Sequence, residues 1–162
     1  MAYRPDLVDV WVYRMVEGVP DVLLMRRAPG RILAGLWQGV SGSLEPGERV
    51  VDGALRELRE ETGLARPAVE AFFDLDLVNQ FHHSGADAVL TAAVFAARIS
   101  PDVEPQLSTE HDAAHWLPLE AALAEVVWPG YRDALRRIGE DLLDPARARW
   151  FEIAPDGLSV IR

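Results

Sequence analysis

Residues 42–64 read GSLEPGERVVDGALRELREETGL, and this stretch decides the fold. Its second half predicts a short helix, because apolar or small residues return at the 3.6-residue period of a helix with one buried face. These residues are Val51, Leu55, Leu58 and Thr62. Gly63 suits the left-handed residue that commonly ends a helix. Upstream, Pro46 and Gly47 indicate a tight turn, so the stretch is predicted to be a preset loop followed by an amphipathic helix.

Three carboxylates share the flank of this predicted helix that faces away from the core: Glu57, Glu60 and Glu61. Residues three and four apart on a helix lie side by side, and like charges there repel by about 0.2–0.5 kcal/mol per pair. A hard divalent cation such as Mg²⁺ or Mn²⁺ is the economical partner, because such ions take oxygen ligands and share them with phosphates. The alternative is a solvated acidic face. Gly53 lies one turn before Glu57, where the missing side chain is expected to leave room for a metal or a phosphate.

The spacing resembles that of the Nudix hydrolases, in which a glycine, five residues, a glutamate and seven residues precede R-E-U-x-E-E-x-G-U, with U aliphatic. Every fixed position is filled, by Gly42, Glu48, Arg56, Glu57, Leu58, Glu60, Glu61, Gly63 and Leu64. The resemblance implies an α/β fold, the α/β/α sandwich with a mixed β-sheet. It also implies a pyrophosphohydrolase that uses Mg²⁺ or Mn²⁺ when water attacks a pyrophosphate bridge.

The same resemblance implies roles for the residues of this motif. Glu57 and Glu61 match the steadiest metal ligands of the family, and Glu60 matches a further or second-metal ligand. Arg56 matches the residue whose guanidinium orients a carboxylate, which places it with Glu57 in the catalytic group. Glu48 is expected to support the loop or to act as an outer ligand.

The general base of Nudix enzymes often comes from a loop outside the motif. Here Glu110, in the sequence STEH, is predicted to be a metal ligand or that base. A turn-capping role is the alternative for this residue, and Glu104 and Asp112 are weaker candidates for the base. The histidines are expected to be strand and loop residues, because zinc sites need more convergent ligands. They are His82, His83, His111 and His115.

Residues outside the motif resemble the branch of the family with dihydroneopterin triphosphate pyrophosphatase and dATP pyrophosphohydrolase. The matching segments are Tyr3-Arg4-Pro5, residues 22–27, residues 36–42, Thr109-Glu110-His111 and Trp116-Leu117. The implied substrate is a nucleoside triphosphate or a similar nucleoside diphosphate-linked small molecule. Another Nudix specificity, such as dinucleoside polyphosphates or nucleotide sugars, stays open, as does a nucleotide-sensing module without catalysis.

Five residues outside the acidic group are predicted to bind this substrate. Arg26 is expected to contact phosphate. Arg27 is a second such candidate, equally suited to a strand-end salt bridge, and Ser41 is expected to line the same pocket. Trp128, at a helix entrance, is predicted to form the wall of a ring pocket, and Phe81 is the other aromatic candidate.

Length and composition fit one Nudix domain over residues 1–143, with residues 144–162 as an extension packed on that domain or on a partner subunit. The net charge of -10 argues against a nucleic-acid polymer as partner, because polyanions are bound by basic surfaces. The chain has no cysteine, which excludes a thiol nucleophile and, with it, an isomerase of the isopentenyl diphosphate type. No apolar run is long enough to span a bilayer, so we expect a cytoplasmic monomer or homodimer without membrane contact.

Hydrophobic periodicity and turn residues predict the remaining elements. Strands are expected at residues 7–15, 22–27, 69–81, 88–99 and 116–117, with a turn at Gly18-Val19-Pro20. A polar loop is expected over residues 100–115, and helices over residues 119–127 and from Pro129 to about residue 143. A small hairpin is predicted around residues 155–157.

Overall fold

The computed structural model describes residues 2–154, so the hairpin predicted around residues 155–157 lies outside the described residues. Within them, the strands are β1 (Leu7–Val16), β2 (Val19–Arg27), β3 (Trp37–Gln38), β4 (Val40–Ser43), β5 (Val69–His83), β6 (Ala88–Ile99), β7 (His111–Pro118) and β8 (Glu152–Ile153). The α-helices are α1 (Val50–Thr62), α2 (Leu119–Glu125), α3 (Pro129–Arg137) and α4 (Pro145–Ala148). A 3-10 turn at Arg66–Ala68 follows α1, and a π-helical turn at Ile138–Leu142 extends α3.

These strands form one mixed sheet. Its main order is β3-β2-β1-β6-β5-β8, with β4 paired to β1 and β7 paired to β2. The central pair β1 and β6 is parallel, whereas β2 and β4 both run antiparallel to β1. Because β4 pairs with the first half of β1, the loop that leads into α1 begins beside the centre of the sheet.

Helices cover both faces of the sheet. Along β1, Trp11 and Tyr13 pack with α2 and α3 on one face, whereas Val10 and Val12 pack with α1 on the other. Such alternation with every side chain buried is that of a strand enclosed between two layers. The predicted α/β/α sandwich with a mixed sheet is confirmed.

The stripe predicted for α1 packs on the core. Leu58 and Thr62 are fully buried, and Val51 and Leu55 are half-buried against the same core cluster. Gly63 ends the helix in the left-handed conformation with φ of 72°, as predicted, and its N–H donates to a carbonyl oxygen of the last turn at 2.8 Å. The helix therefore has a fixed rotation, which determines where its acidic flank points.

The structure differs from the prediction in the segment before Trp116. The sequence predicts a loop up to residue 115, but β7 begins at His111 and pairs antiparallel with β2. Polar residues such as Asp112 and His115 favour a loop on propensity alone. Backbone hydrogen bonds to the central strand β2 override this preference, because strand propensity depends strongly on context.

The turn between β1 and β2 also lies earlier than predicted. β1 ends at Val16 and β2 begins at Val19, so the turn consists of Glu17 and Gly18, with φ of 51° and 78°. Two residues with positive φ form the tight turn whose twist matches antiparallel strands. Val19 and Pro20, which the sequence places in the turn, pair instead with the end of β1.

The described residues after position 143 pack on the same sheet. Asp144 caps α4 by accepting a hydrogen bond from the Ala146 N–H at 3.0 Å, and Ala148 lies in the core cluster beside α3. Ile153 of β8 pairs with Phe72 of β5. Among residues 2–154, no helix is long and apolar enough to cross a membrane.

Candidate functional site

Arg56 fastens the loop before α1 to the helix. Its guanidinium donates two hydrogen bonds to the Glu48 carboxylate, at 2.7 and 3.0 Å, and one to the Ser43 carbonyl oxygen at 3.0 Å. The backbone N–H of Glu45 donates to the same carboxylate at 2.9 Å. These donors, Arg56 foremost, lower the pKa of Glu48 to about 2. Glu48 thus holds the loop, which is one of the two roles that the sequence suggests for it.

Two glycines set the spacing between the loop, β4 and α1. A Cβ at Gly53 would collide with the side chains of Leu44 and Glu48, so the loop already fills that space. The prediction that Gly53 leaves room for a metal or a phosphate is therefore wrong. At Gly42, a Cβ would overlap the carboxylate of Glu57. The missing side chain of Gly42 is what allows Glu57 to lie against β4.

Glu57 and Glu60 lie on the side of α1 that faces a cavity. Arg56 donates to Glu57 at 2.7 Å and to Glu60 at 3.2 Å, so it supplies part of the positive charge that the crowded carboxylates need. Burial raises the pKa of Glu57, and Arg56 opposes this effect. The side chain of Glu60 is about half exposed, at 52%. Glu57 is therefore largely shielded from water, whereas water reaches the carboxylate of Glu60.

Glu61 is almost completely buried, with 1% of its surface exposed. The backbone N–H of Ser41 donates to its Oε2 at 3.0 Å. Its Oε1 has no hydrogen-bond partner in the described part of the chain. Burial, followed by the nearby Glu110 carboxyl, raises the pKa of Glu61 to about 10. No cationic group in the described part of the chain compensates the charge that Glu61 would carry if it were ionised.

Glu110 and His111 reach Glu61 from the start of β7. One potential ligand atom from each of the three side chains lies within 4.8 Å of the others. His111 is buried, its Nε2 lies 3.0 Å from the side-chain nitrogen of Gln38, and its Nδ1 has no partner among residues 2–154. Burial lowers the pKa of His111, which favours the neutral ring that metals bind.

Glu110 is the candidate base that the structure brings to the acidic flank of α1. Glu104 instead accepts hydrogen bonds from Arg14 at 3.1 Å and from the Trp116 indole at 3.2 Å. His111 lies in the site, although the sequence predicts it only as a strand or loop residue. Its position directly after Glu110 was a hint, but its burial depends on the pairing of β7 with β2.

The residues present fit a hard divalent ion. Carboxylate oxygens are the ligands that Mg²⁺ and Mn²⁺ prefer, and buried carboxylates with raised pKa values lack a compensating cation. The unpartnered Oε1 of Glu61 is an acceptor that such an ion would satisfy. A group able to hold a metal ion is therefore present at Glu61, Glu110 and His111, with Glu57 close enough for the carboxylate charges to interact.

A cavity of about 860 Å³ opens beside this acidic group, a size typical of small-molecule sites. Its wall contains these residues singled out from the sequence: Arg27, Ser41, Glu57, Glu60, Phe81, Glu110 and Trp128. Asp9, Asn79 and Gly130 also line it, and no sequence motif predicts them there. The Trp128 ring lies 5.1 Å from the ring of Tyr131, which lines the same cavity.

Arg26 lies outside the wall of this cavity. It forms a forked ion pair with Asp112, at 2.8 and 3.1 Å, and its guanidinium lies 5.7 Å from the centre of the Trp37 ring. The pair lowers the pKa of Asp112, which is thereby engaged away from the acidic group. The structure brings Arg27 to the cavity instead, where it donates to the Ile32 carbonyl oxygen at 3.0 Å.

The protein is a mixed α/β sandwich in which helix α1 and the residue before β7 bring carboxylates to one cavity. The family model for the NUDIX domain matches residues 4–138, and the chain belongs to this family. The complete motif of residues 42–64 lies within the matched range.

Known proteins resemble the chain over most of its length. An octanoyltransferase from Myxococcus xanthus is 39% identical over 118 residues, which are 72% of this chain and 31% of that protein. An asymmetrical bis(5′-nucleosyl)-tetraphosphatase from Mus musculus is 33% identical over 90 residues, 53% of this chain and 58% of that protein. The chain thus spans less than two thirds of these relatives. The solved dihydroneopterin triphosphate pyrophosphohydrolase of E. coli has a TM-score of 0.69 at 24% identity, covering 83% of this chain and 94% of that one, which shows the fold.

Proposed function

We propose that this chain is a metal-dependent pyrophosphohydrolase that cleaves a phosphoanhydride bond of a nucleoside triphosphate or a similar nucleoside diphosphate-linked small molecule. The observation that carries the proposal is the buried, unpartnered carboxyl oxygen of Glu61 beside Glu110, with Glu57 and Glu110 at the wall of a nucleotide-sized cavity. Such an arrangement is unfavourable without a cation, and phosphates share their cations with carboxylates.

Four carboxylates hold the ion in this proposal: Glu57, Glu60, Glu61 and Glu110. Bound there, Mg²⁺ or Mn²⁺ would supply positive charge to the phosphates and would make an attacking water more acidic. Glu110 takes the proton from that water, because its carboxyl lies at the wall of the cavity and is not paired with a basic residue in the described ion pairs. Arg56 is a positioning residue, which holds Glu57 at 2.7 Å.

The remaining wall of the cavity binds the substrate. Arg27 contacts phosphate, because its guanidinium lies at the cavity and Arg26 is occupied by Asp112. Ser41 lines the same space, and Trp128 and Phe81 form the walls against which a planar ring stacks. A substrate like dihydroneopterin triphosphate or dATP is favoured, in agreement with the sequence segments outside the motif and with the dihydroneopterin triphosphate pyrophosphohydrolase of E. coli that shares the fold.

A pyrophosphate-release assay over a panel of nucleoside triphosphates, dihydroneopterin triphosphate, dinucleoside polyphosphates and nucleotide sugars tests this function. The assay is run with Mg²⁺ and with Mn²⁺. Wild type is expected to release pyrophosphate or a nucleotide from at least one substrate, and Glu57→Gln to lose several powers of ten in rate. Equal inactivity of both proteins on the whole panel, with ligand still bound, would identify a sensing module and refute the enzyme.

The two neighbouring arginines provide a matched test of the phosphate contact. Arg27→Ala is expected to raise KM for the best substrate by roughly ten- to a hundredfold, because a charged hydrogen bond to phosphate is lost. Arg26→Ala removes the same side chain outside the cavity and is expected to change KM less than threefold. Equal effects of the two substitutions would show that Arg27 does not contact the phosphate.

A further inference from the structure

Asp9 is a buried carboxyl at the cavity that the proposed chemistry does not use. It lies in β1 on the same face as Trp11 and Tyr13, with 5% of its surface exposed. The ion pairs of the described residues include none to Asp9. Burial raises the pKa of Asp9, against hydrogen bonds from Ser41 and Asn79 that lower it. Burying a carboxyl costs free energy that packing alone does not recover, so a functional role for Asp9 is expected.

Two neighbouring side chains hold this carboxyl in place. The Asn79 amide donates to Oδ2 of Asp9 at 3.2 Å, and Ser41 lies opposite Asp9 in the pairing of β1 with β4. A Cβ at Gly130 would run into the Asn79 carboxamide, so this glycine at the start of α3 leaves the space that Asn79 occupies. A carboxylate accepts about four hydrogen bonds, and two protein donors leave capacity for a ligand in the cavity.

Asp9 lines the same cavity as Glu57, Glu60 and Glu110 of the acidic group. Ser41 connects the two, because its backbone N–H donates to Glu61 while its side chain bonds to Asp9. Trp128 lines the same cavity and offers an aromatic face for a planar ring. A ligand with its phosphates at the acidic group and its ring against Trp128 therefore occupies the cavity that Asp9 also lines.

We propose, on the basis of the proposed function, that Asp9 selects a substrate ring with a 2-amino-4-oxopyrimidine edge, accepting hydrogen bonds from its ring N–H and its exocyclic amino group. Guanine and pterins share this edge. Its two adjacent donors match the two oxygens of one carboxylate and supply the hydrogen bonds that burial withholds from Asp9.

Other rings match this carboxylate less well. Adenine and cytosine place a ring acceptor next to the amino donor, so one carboxylate oxygen would face a lone pair. Thymine offers a single N–H between two carbonyl groups, and hypoxanthine keeps the ring N–H without the amino group. Asp9 thus disfavours dATP, and within the branch that the sequence resembles it favours the pterin or a guanine nucleotide.

Measurement of kcat/KM on dGTP, dITP, dATP, dXTP and dihydroneopterin triphosphate tests the role of Asp9. Wild type is expected to prefer dGTP or the pterin over dITP and dATP by roughly ten- to a hundredfold. The larger of the two favoured values identifies guanine or pterin as the source of the edge. Comparable values for dATP and dGTP in wild type would overturn the proposal without any variant.

Asp9→Asn is expected to lower kcat/KM for one substrate and to raise it for another. Its amide is expected to donate to the 2-oxo group of xanthine, so kcat/KM should fall roughly tenfold or more for dGTP and rise for dXTP. The same factor of loss on every substrate would overturn the proposal, because it indicates a structural defect. Asp102→Asn, an exposed carboxyl outside the cavity, serves as the control and should leave the order of preference unchanged.

A binding measurement separates this proposal from the proposed function. Titration calorimetry of wild type and of Asp9→Asn with dGTP, dATP and dXTP in the presence of Ca²⁺ reads ring preference without requiring turnover. Absence of hydrolysis together with a guanine preference that Asp9→Asn abolishes would refute the hydrolase and support Asp9. Hydrolysis with no ring preference in either protein would support the hydrolase and refute the role of Asp9.

Discussion

Replacement of Glu61 by glutamine is expected to stabilise the metal-free protein and to remove the stabilisation that a divalent ion provides. Burial and the neighbouring Glu110 raise the pKa of Glu61 from an ordinary 4.5 to about 10. Keeping such a carboxyl protonated at pH 7 costs about 3 kcal/mol, because each pKa unit is worth about 1.4 kcal/mol. Glutamine has the same shape, and its carbonyl oxygen can accept the Ser41 N–H. We therefore expect a gain of about 1–3 kcal/mol in the free energy of unfolding.

The gain depends on pH in a defined direction. Between about pH 4.5 and pH 10 the folded wild type holds a proton at Glu61 that the unfolded chain releases, so its stability falls as pH rises through this window. Glutamine does not titrate. The difference in unfolding free energy between Glu61→Gln and wild type is therefore small near pH 4.5 and grows towards pH 8.

Urea unfolding followed by tryptophan fluorescence measures both effects. In EDTA, the two proteins are compared between pH 5 and pH 8. With Mg²⁺ at about a hundred times its dissociation constant, wild type should gain about 2.7 kcal/mol, and Glu61→Gln should gain much less. Glu125→Gln is the control, because Glu125 is an exposed carboxyl at the end of α2 and does not line the cavity. If Glu61→Gln is less stable than wild type at pH 8 in EDTA, or gains as much from Mg²⁺, the reasoning fails.

Three further substitutions probe the loop and the helix. Gly42→Ala places a Cβ on the Glu57 carboxylate and should weaken Mn²⁺ binding at least tenfold by calorimetry; unchanged affinity would exclude Glu57 as a ligand. Arg56→Lys loses the forked hold on Glu48 and should lower the free energy of unfolding by about 1–3 kcal/mol in urea, whereas an equal stability would mean that the pair contributes nothing. Gly53→Ala should be destabilising by about 1–3 kcal/mol, because its Cβ collides with the loop. Helix propensity alone favours alanine over glycine at this position by about 1 kcal/mol. A net stabilisation by Gly53→Ala would therefore show that the loop moves away without cost.

The parts of the site that lie on one continuous stretch of chain could be predicted from the sequence. Residues 42–64 contain the turn, the helix period and the left-handed end at Gly63, and all of these are set by local geometry. The spacing of Glu57 and Glu61 on one helix follows from 3.6 residues per turn. Local reasoning failed at Gly53, because the side chains that fill its space come from the loop that folds back on the helix.

The parts of the site that depend on strand pairing could be predicted only in outline. The neighbourhood of Glu110 in the chain predicts its role, but the burial of His111 and the ion pair of Arg26 arise from the register between β2 and β7. A register shift between Arg26 and Arg27 turns the first towards Asp112 and the second towards the cavity. Alternation along a strand predicts that neighbouring residues face opposite sides of the sheet, but no periodicity in the sequence shows where a register shift interrupts this alternation.

Asp9 shows how a break in a sequence pattern can point to function. The strand LVDVWVYR is apolar on both faces, as expected for the centre of an α/β sandwich, and Asp9 interrupts it in the middle of the sheet. A charge at a core position of such a strand contradicts the local rule, and a contradiction of this kind is expected at functional sites. Asn79, on a strand that reaches β1 only across β6, completes the explanation by holding Asp9 at the cavity. The local interruption is therefore readable before the fold, but its meaning as a ring contact follows only from the neighbours that the sheet supplies.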